Sequence, residues 1–155
     1  MNASLVLEVL RALEREGVRY KVIGGVAMNL VGLPRATRDL GIFVEAEASN
    51  VAALRRALQA VFHDPDIDGI LVEDLAGDYP AVQYIPPTEG FHIDILSRLG
   101  DAWSYDQVET SMVRVEDVAI PVATPSMLVR MKRGTVRPQD HADAARLRQR
   151  FGLED

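Results

Sequence analysis

The chain contains no cysteine. That excludes a disulfide scaffold, a thiol nucleophile and any zinc site built on thiolates. It has few aromatic residues, with one Trp and 6% aromatics in all. No apolar run approaches the roughly 18 residues a membrane span needs. The opening MNASLVLEVLRALERE is charged too early for a signal peptide, so a cytoplasmic protein without a membrane anchor is expected. Positive charge is also scarce overall, at a formal net charge of −6, which argues against a protein that coats nucleic acid. What is present suits a globular chain: 155 residues, 48% hydrophobic and 26% charged, expected to form a single domain over 1–155.

The charge is unevenly spread. Residues 1–125 carry 10 Lys/Arg against 19 Asp/Glu, whereas residues 126–150 carry 7 against 2. An acidic body with a basic C-terminal segment fits either a solvated helical face or an anion site for a phosphate-bearing ligand.

Hydrophobic spacing divides the chain. Leu5, Val6, Val9, Leu10 and Leu13 recur on one helical face, and Gly17 is placed to end that helix in a left-handed conformation. VRYKVIGG reads as a strand entering a Gly-Gly turn, VAMNLVG as a short buried helix, and RDLGIFVE as a second strand. Ser49 is expected to cap a helix whose stripe is Val51, Leu54, Leu58, Val61 and Phe62. AVQYIPP and FHIDILSR form a hairpin joined through Thr88, Glu89 and Gly90. A short helix is expected around Tyr105 to Thr110, followed by two short strands or one bent one. Thr124-Pro125 and Pro138 start the last two helices. The mixture of alternating elements and hairpins predicts an α+β fold, a mixed sheet with flanking helices.

Three features carry chemistry. Gly24 and Gly25, between a strand and a helix, let backbone approach a phosphate closely, although a tight turn needs glycine in any case. Asp39 opens a strand, and Asp94 lies among the apolar residues of another. A carboxylate in such surroundings needs a partner. That partner is either an arginine such as Arg35, Arg38 or Arg98, or a divalent metal shared by both carboxylates once their strands pair.

In order along the chain, IGGVAMNLVGLPRATRDLGIFV, FHIDIL and LVRMKRGTVRPQDHADAARL resemble the polymerase-β-type minimal nucleotidyltransferases, nearest the AbiEii-like toxin group. The resemblance spans about Val22 to Leu147 and implies a nucleotidyltransferase fold that binds NTP with Mg²⁺. It implies transfer of a nucleotidyl group to an acceptor such as tRNA or protein, in a toxin–antitoxin setting with an antitoxin partner. By the same resemblance, Asp39 and Asp94 are catalytic and hold metal, while Gly24, Gly25, Arg35, Thr37 and Lys132 bind the nucleotide. Lys132, Arg137, Asp140 and Asp143 match the family's C-terminal pattern.

One position departs from the family. The second carboxylate of its Asp-x-Asp strand is Gly41 here. Glu45 shares that face but stands roughly 13 Å further along, at about 3.3 Å per residue. His92 shares a face with Asp94, either as a neutral ligand or as a packed, hydrogen-bonded side chain. Three readings follow: a relative that binds nucleotide or protein without transfer, a slow one-metal enzyme, or an introduced Asp-to-Gly exchange that removes activity.

Overall fold

The computed structural model describes residues 3–34, 36–37, 39–76, 81–87, 90–99, 103–133 and 137–153. The first helix, α1 (Ala3–Arg15), buries Val6, Val9, Leu10 and Leu13, and Gly17 follows at φ +69°. Strand β1 (Tyr20–Ile23) leads through Gly24 into the short helix α2 (Gly24–Leu30). Strand β2 (Asp39–Val44) is followed by α3 (Ala48–Phe62). The residue that caps α3 is Glu47 and not Ser49; Ser49 lies inside the first turn and donates back to Glu47 Oε1 at 3.3 Å. A 3-10 turn (Pro65–Gly69) and the short helix α4 (Val72–Ala76) then lead to β3 (Ala81–Tyr84) and β4 (His92–Leu96).

Two-residue strands β5 (Arg98–Leu99) and β6 (Trp103–Ser104) pair with each other. The helix expected near Tyr105 is only a 3-10 turn (Tyr105–Gln107), because β7 (Thr110–Val115) begins soon after it. β7 forms a hairpin with β8 (Val118–Ala123), so the segment read as two strands or one bent one is two. Thr124 caps α5 (Pro125–Lys132), its hydroxyl accepting from the Met127 N–H. Pro138 opens α6 (Pro138–Phe151), and Gly152 closes it at φ +65°.

The fold is α+β. Six strands form one mixed sheet in the order β3-β4-β2-β1-β8-β7. The expected β3–β4 hairpin is present and antiparallel, but Thr88 and Glu89 lie outside the described residues. β2 runs antiparallel to β1 and parallel to β4, and β8 joins β1 in parallel through Val22 and Val122. Period-2 alternation gives the sheet two unlike faces. Leu40, Ile42, Val44, Ile93 and Ile95 are fully buried and share one cluster with the apolar stripes of α1 and α3. The other face carries Asp39, Gly41, His92 and Asp94, all half-buried. Next along that face Phe43 is fully buried, so β2 is more open at its Asp39 end.

Candidate active site

The β2–β4 register assembles the site. Asp39 stands opposite His92, and Gly41 opposite Asp94. Residues i and i+2 of a strand share a face, so Asp39, His92 and Asp94 converge across two neighbouring strands. His92 Nε2 lies 2.8 Å from Asp39 Oδ1 and 3.5 Å from Asp94 Oδ2. From the outer strand, Gln83 Nε2 donates to Asp94 Oδ1 at 3.3 Å. One donor atom from each of Asp39, His92 and Asp94 falls within 4.8 Å of the others. The sequence placed the two aspartates near each other. It left His92 between ligand and packing residue, and the structure sets its imidazole within reach of both carboxylates; of the arginines that were the alternative partners, Arg35 and Arg38 lie outside the described residues.

Thr37 fixes the entry to β2. Its hydroxyl accepts from the Asp39 N–H at 3.2 Å and donates to the Asp39 carbonyl at 3.3 Å. This local turn starts the strand with the Asp39 side chain on the open face. Thr37 thus supports Asp39, and its expected contact with nucleotide remains part of the proposal below. Arg35 lies outside the described residues.

The glycine turn borders the same region. β1 ends at Ile23, which pairs with Gly41, so Gly24 and Gly25 leave the sheet beside the carboxylate strands. Gly24 has φ +73°, a conformation other residues adopt only with strain, and a Cβ there would meet nothing within 4 Å. The glycine is therefore required by the backbone, and the space above it is open. Gly41 differs. A Cβ at that position would lie 3.3 Å from both Ile23 Cγ1 and the Ile23 carbonyl oxygen. A side chain at the position of the missing carboxylate therefore requires Ile23 to give way by a few tenths of an ångström.

Lys132 pairs with carboxylates of the C-terminal helix. Its Nζ lies 3.4 Å from Asp140 Oδ1 and 3.4 Å from Asp143 Oδ2, in a nearly buried setting that ties α5 to α6. Asp143 is fully buried and also accepts from Gln139 Nε2 at 2.8 Å. Arg137 approaches Asp140, at 3.9 Å. The carboxylates of the C-terminal pattern thus hold the lysine that was expected to face phosphate.

Trp103 and Tyr105 pack at the margin of the core, each under a cation. Lys21 Nζ stands 4.1 Å from the Tyr105 ring centre, and the Arg130 guanidinium 5.9 Å from that of Trp103. Burial holds the Lys21 ammonium below its ordinary pKa. No helix among the described residues is long and apolar enough to cross a membrane.

No protein-family profile and no curated protein sequence matches the chain. Solved structures do. A lincosamide antibiotic adenylyltransferase, LnuA, determined with lincomycin bound, aligns with 96% of this chain and 97% of its own, at 17% identity and a TM-score of 0.58. ANT(2″)-Ia in complex with adenylyl-2″-tobramycin aligns with 93% of this chain and 85% of its own, at 12% identity and a TM-score of 0.52. A nucleotidyltransferase-like protein of Thermotoga maritima, itself described as putative, aligns with 96% and 91%, at 15% identity and a TM-score of 0.50. The chain therefore has the fold of the nucleotidyltransferases.

Proposed function

We propose that this chain binds a nucleoside triphosphate together with a divalent cation and transfers its nucleotidyl group to an acceptor hydroxyl. One observation carries the reading. The parallel β2–β4 register collects Asp39, His92 and Asp94 on a half-open face beside the Gly24–Gly25 turn, within a fold shared with two antibiotic adenylyltransferases. The donor set of two carboxylate oxygens and one imidazole nitrogen fits a divalent ion. When bound, such an ion neutralises phosphate charge and polarises the phosphorus under attack.

The remaining work falls to the chain. Gly24 and Gly25 admit the phosphates close to backbone. Thr37 keeps Asp39 aimed at the open face, and Gln83 steadies Asp94. Asp94 takes the acceptor hydroxyl's proton as the oxygen bonds to the α-phosphorus and the bond to the departing pyrophosphate breaks. Arg35 and Lys132 are the phosphate contacts of this reading, and Lys132 would exchange Asp140 and Asp143 for nucleotide.

The acceptor class extends from small hydroxyl compounds, such as the antibiotics carried by the two adenylyltransferases, to tRNA or protein. The toxin role with an antitoxin partner, the single domain and the cytoplasmic location are further parts of the same proposal, and Mg²⁺ is the ion that the family resemblance implies. Labelled NTPs incubated with a divalent ion and candidate acceptors test it. Pyrophosphate release that disappears in Asp39→Asn supports transfer, and no turnover by this chain or by Gly41→Asp rejects it.

Gly41 favours a second reading, a module that holds nucleotide without transferring it. Loss of a metal ligand often removes several kcal/mol of transition-state stabilisation. Saturable, metal-assisted NTP binding with no product in calorimetry identifies this case.

A further inference from the structure

The site differs from an all-carboxylate set in one donor. Three aspartates would present only hard oxygen, the chemistry that suits Mg²⁺. Here Gly41 withdraws an oxygen donor from the face, and His92 brings a nitrogen to it across the strand pair. At metal–ligand bonds of about 2.0–2.2 Å, neighbouring donor atoms around one ion stand about 3–3.5 Å apart. His92 Nε2 lies 3.5 Å from Asp94 Oδ2, at that spacing, and 2.8 Å from Asp39 Oδ1, a hydrogen-bond distance at which an ion would take the place of the shared proton and widen the pair.

We infer that Asp39, His92 and Asp94 form a mixed nitrogen–oxygen site for a single first-row transition-metal ion, which it holds in preference to Mg²⁺. This rests on the nucleotidyl-transfer reading for its location and goes beyond it in the identity of the ion. Magnesium gives up water reluctantly and favours oxygen, whereas imidazole suits the later ions of the first row. The preference is therefore carried by His92. Any oxygen site follows the general order of affinities across the row, so the diagnostic quantity is the part of the preference that depends on His92. Gly41 gains a reason as well: a side chain there would press on Ile23 and crowd the face on which a nitrogen donor already completes the set.

The test uses the full chain with Co²⁺ alone and Mg²⁺ alone, without nucleotide. Affinity is read by calorimetry, and the visible spectrum of bound Co²⁺ reports its ligands; with no cysteine in the chain, thiolate bands are absent. The expected result is Co²⁺ bound more tightly than Mg²⁺, with a spectrum that shows nitrogen ligation. His92→Gln keeps a donor toward Asp39 but removes the imidazole. It should weaken Co²⁺ at least about tenfold, the lower end of what even an outer-shell partner contributes, and leave Mg²⁺ little changed. His92→Asp, an all-oxygen set, should narrow the preference to what oxygen donors alone give while still binding Mg²⁺, and circular dichroism confirms that each variant is folded. Equal affinity for the two ions, or a Co²⁺ spectrum and affinity that His92→Gln leaves unaltered, overturns the inference. Binding of a non-hydrolysable NTP, measured with either ion, separates this outcome from the parent reading. Nucleotide binding without ion selectivity rejects only the mixed site, and selective Co²⁺ binding without nucleotide binding rejects only the nucleotide reading.

Discussion

At Gly41 two effects oppose each other. Replacing glycine by alanine where the backbone permits gains about 0.4–1 kcal/mol by restricting the unfolded chain. Forcing an added group into a packed contact costs about 1–3 kcal/mol, and here the contact is partly with the Ile23 carbonyl, which cannot move without disturbing β1. Strain outweighs entropy, so Gly41→Ala is expected to lower the thermal midpoint. Gly41→Asp should lower it further by adding charge beside Asp39 and Asp94, and a divalent ion should recover part of the loss in the Asp variant alone. Melting curves with and without the ion check both, and an Ala variant as stable as the parent refutes the packing argument.

Two tyrosines form a second contrast at this scale. Tyr84 donates to Asp64 Oδ2 at 2.7 Å, while the buried Tyr20 hydroxyl has no hydrogen-bond partner among the described residues. Burial pushes both phenols above their ordinary pKa of 10.0, aided at Tyr84 by Asp64 and at Tyr20 by Glu14. The folded value is raised, so each phenol's contribution is intact below about pH 10. It is lost as pH rises from there toward the folded value, because the unfolded chain ionises first. Tyr84→Phe should cost about 1–3 kcal/mol by stranding Asp64. Tyr20→Phe should be neutral or stabilising. Denaturant titrations at neutral pH and above about pH 10 should show a flatter alkaline decline in both variants.

Among the elements, the α5–α6 pair depends on a buried charge cluster. Removing one partner of a buried pair typically costs about 3–5 kcal/mol, because the other charge stays buried without compensation. Lys132→Met leaves Asp143 in that position and should destabilise by about that amount; Asp143→Asn in the same chain should restore part of it. A denaturant midpoint unchanged by Lys132→Met contradicts this arrangement. The elements themselves were largely legible in the sequence. Apolar periodicity marked α1 and α3, alternation marked β2 and β4, and Thr124-Pro125 and Pro138 marked the starts of α5 and α6. The errors arose where local signals compete. Ser49 is a good cap by type, yet Glu47 holds the extended backbone from which α3 begins. Tyr105–Gln107 is cut to a single turn by the pairing of β7 with β8. The partners of Lys132 and His92 were not legible for another reason. They are set by strand register and helix docking, which residue spacing along one element does not encode.

For the molecule as a whole, β8 links the two halves of the sheet. It pairs with β1 on one side and β7 on the other, and α5 and α6 follow from its end. Most buried apolar residues of both halves lie in one cluster. Unfolding should therefore be a single transition, with circular dichroism and the fluorescence of Trp103 coinciding within error. A Trp103 transition at lower denaturant would mean that the β7–β8 and α5–α6 segment melts separately. The acidic body and basic C-terminal segment also divide in the structure. Asp39 and Asp94 meet His92 on the sheet, while the basic residues are spread over α5, α6 and the chain between them; from α6, Arg146 donates to the Pro34 carbonyl at 2.9 Å in the connection that leads to β2.

The parallel pairing of β2 with β4 also has a temporal consequence. Asp39 and His92 are separated along the chain by α3, α4 and β3, so no locally folded fragment brings them together. Such non-local contacts form late, because loop closure must precede them. A chain still emerging from the ribosome cannot capture an ion between these side chains until β4 has been made and docked. In the proposed reading, ion uptake followed in time after dilution from denaturant thus becomes a clock for the docking of β4 on β2.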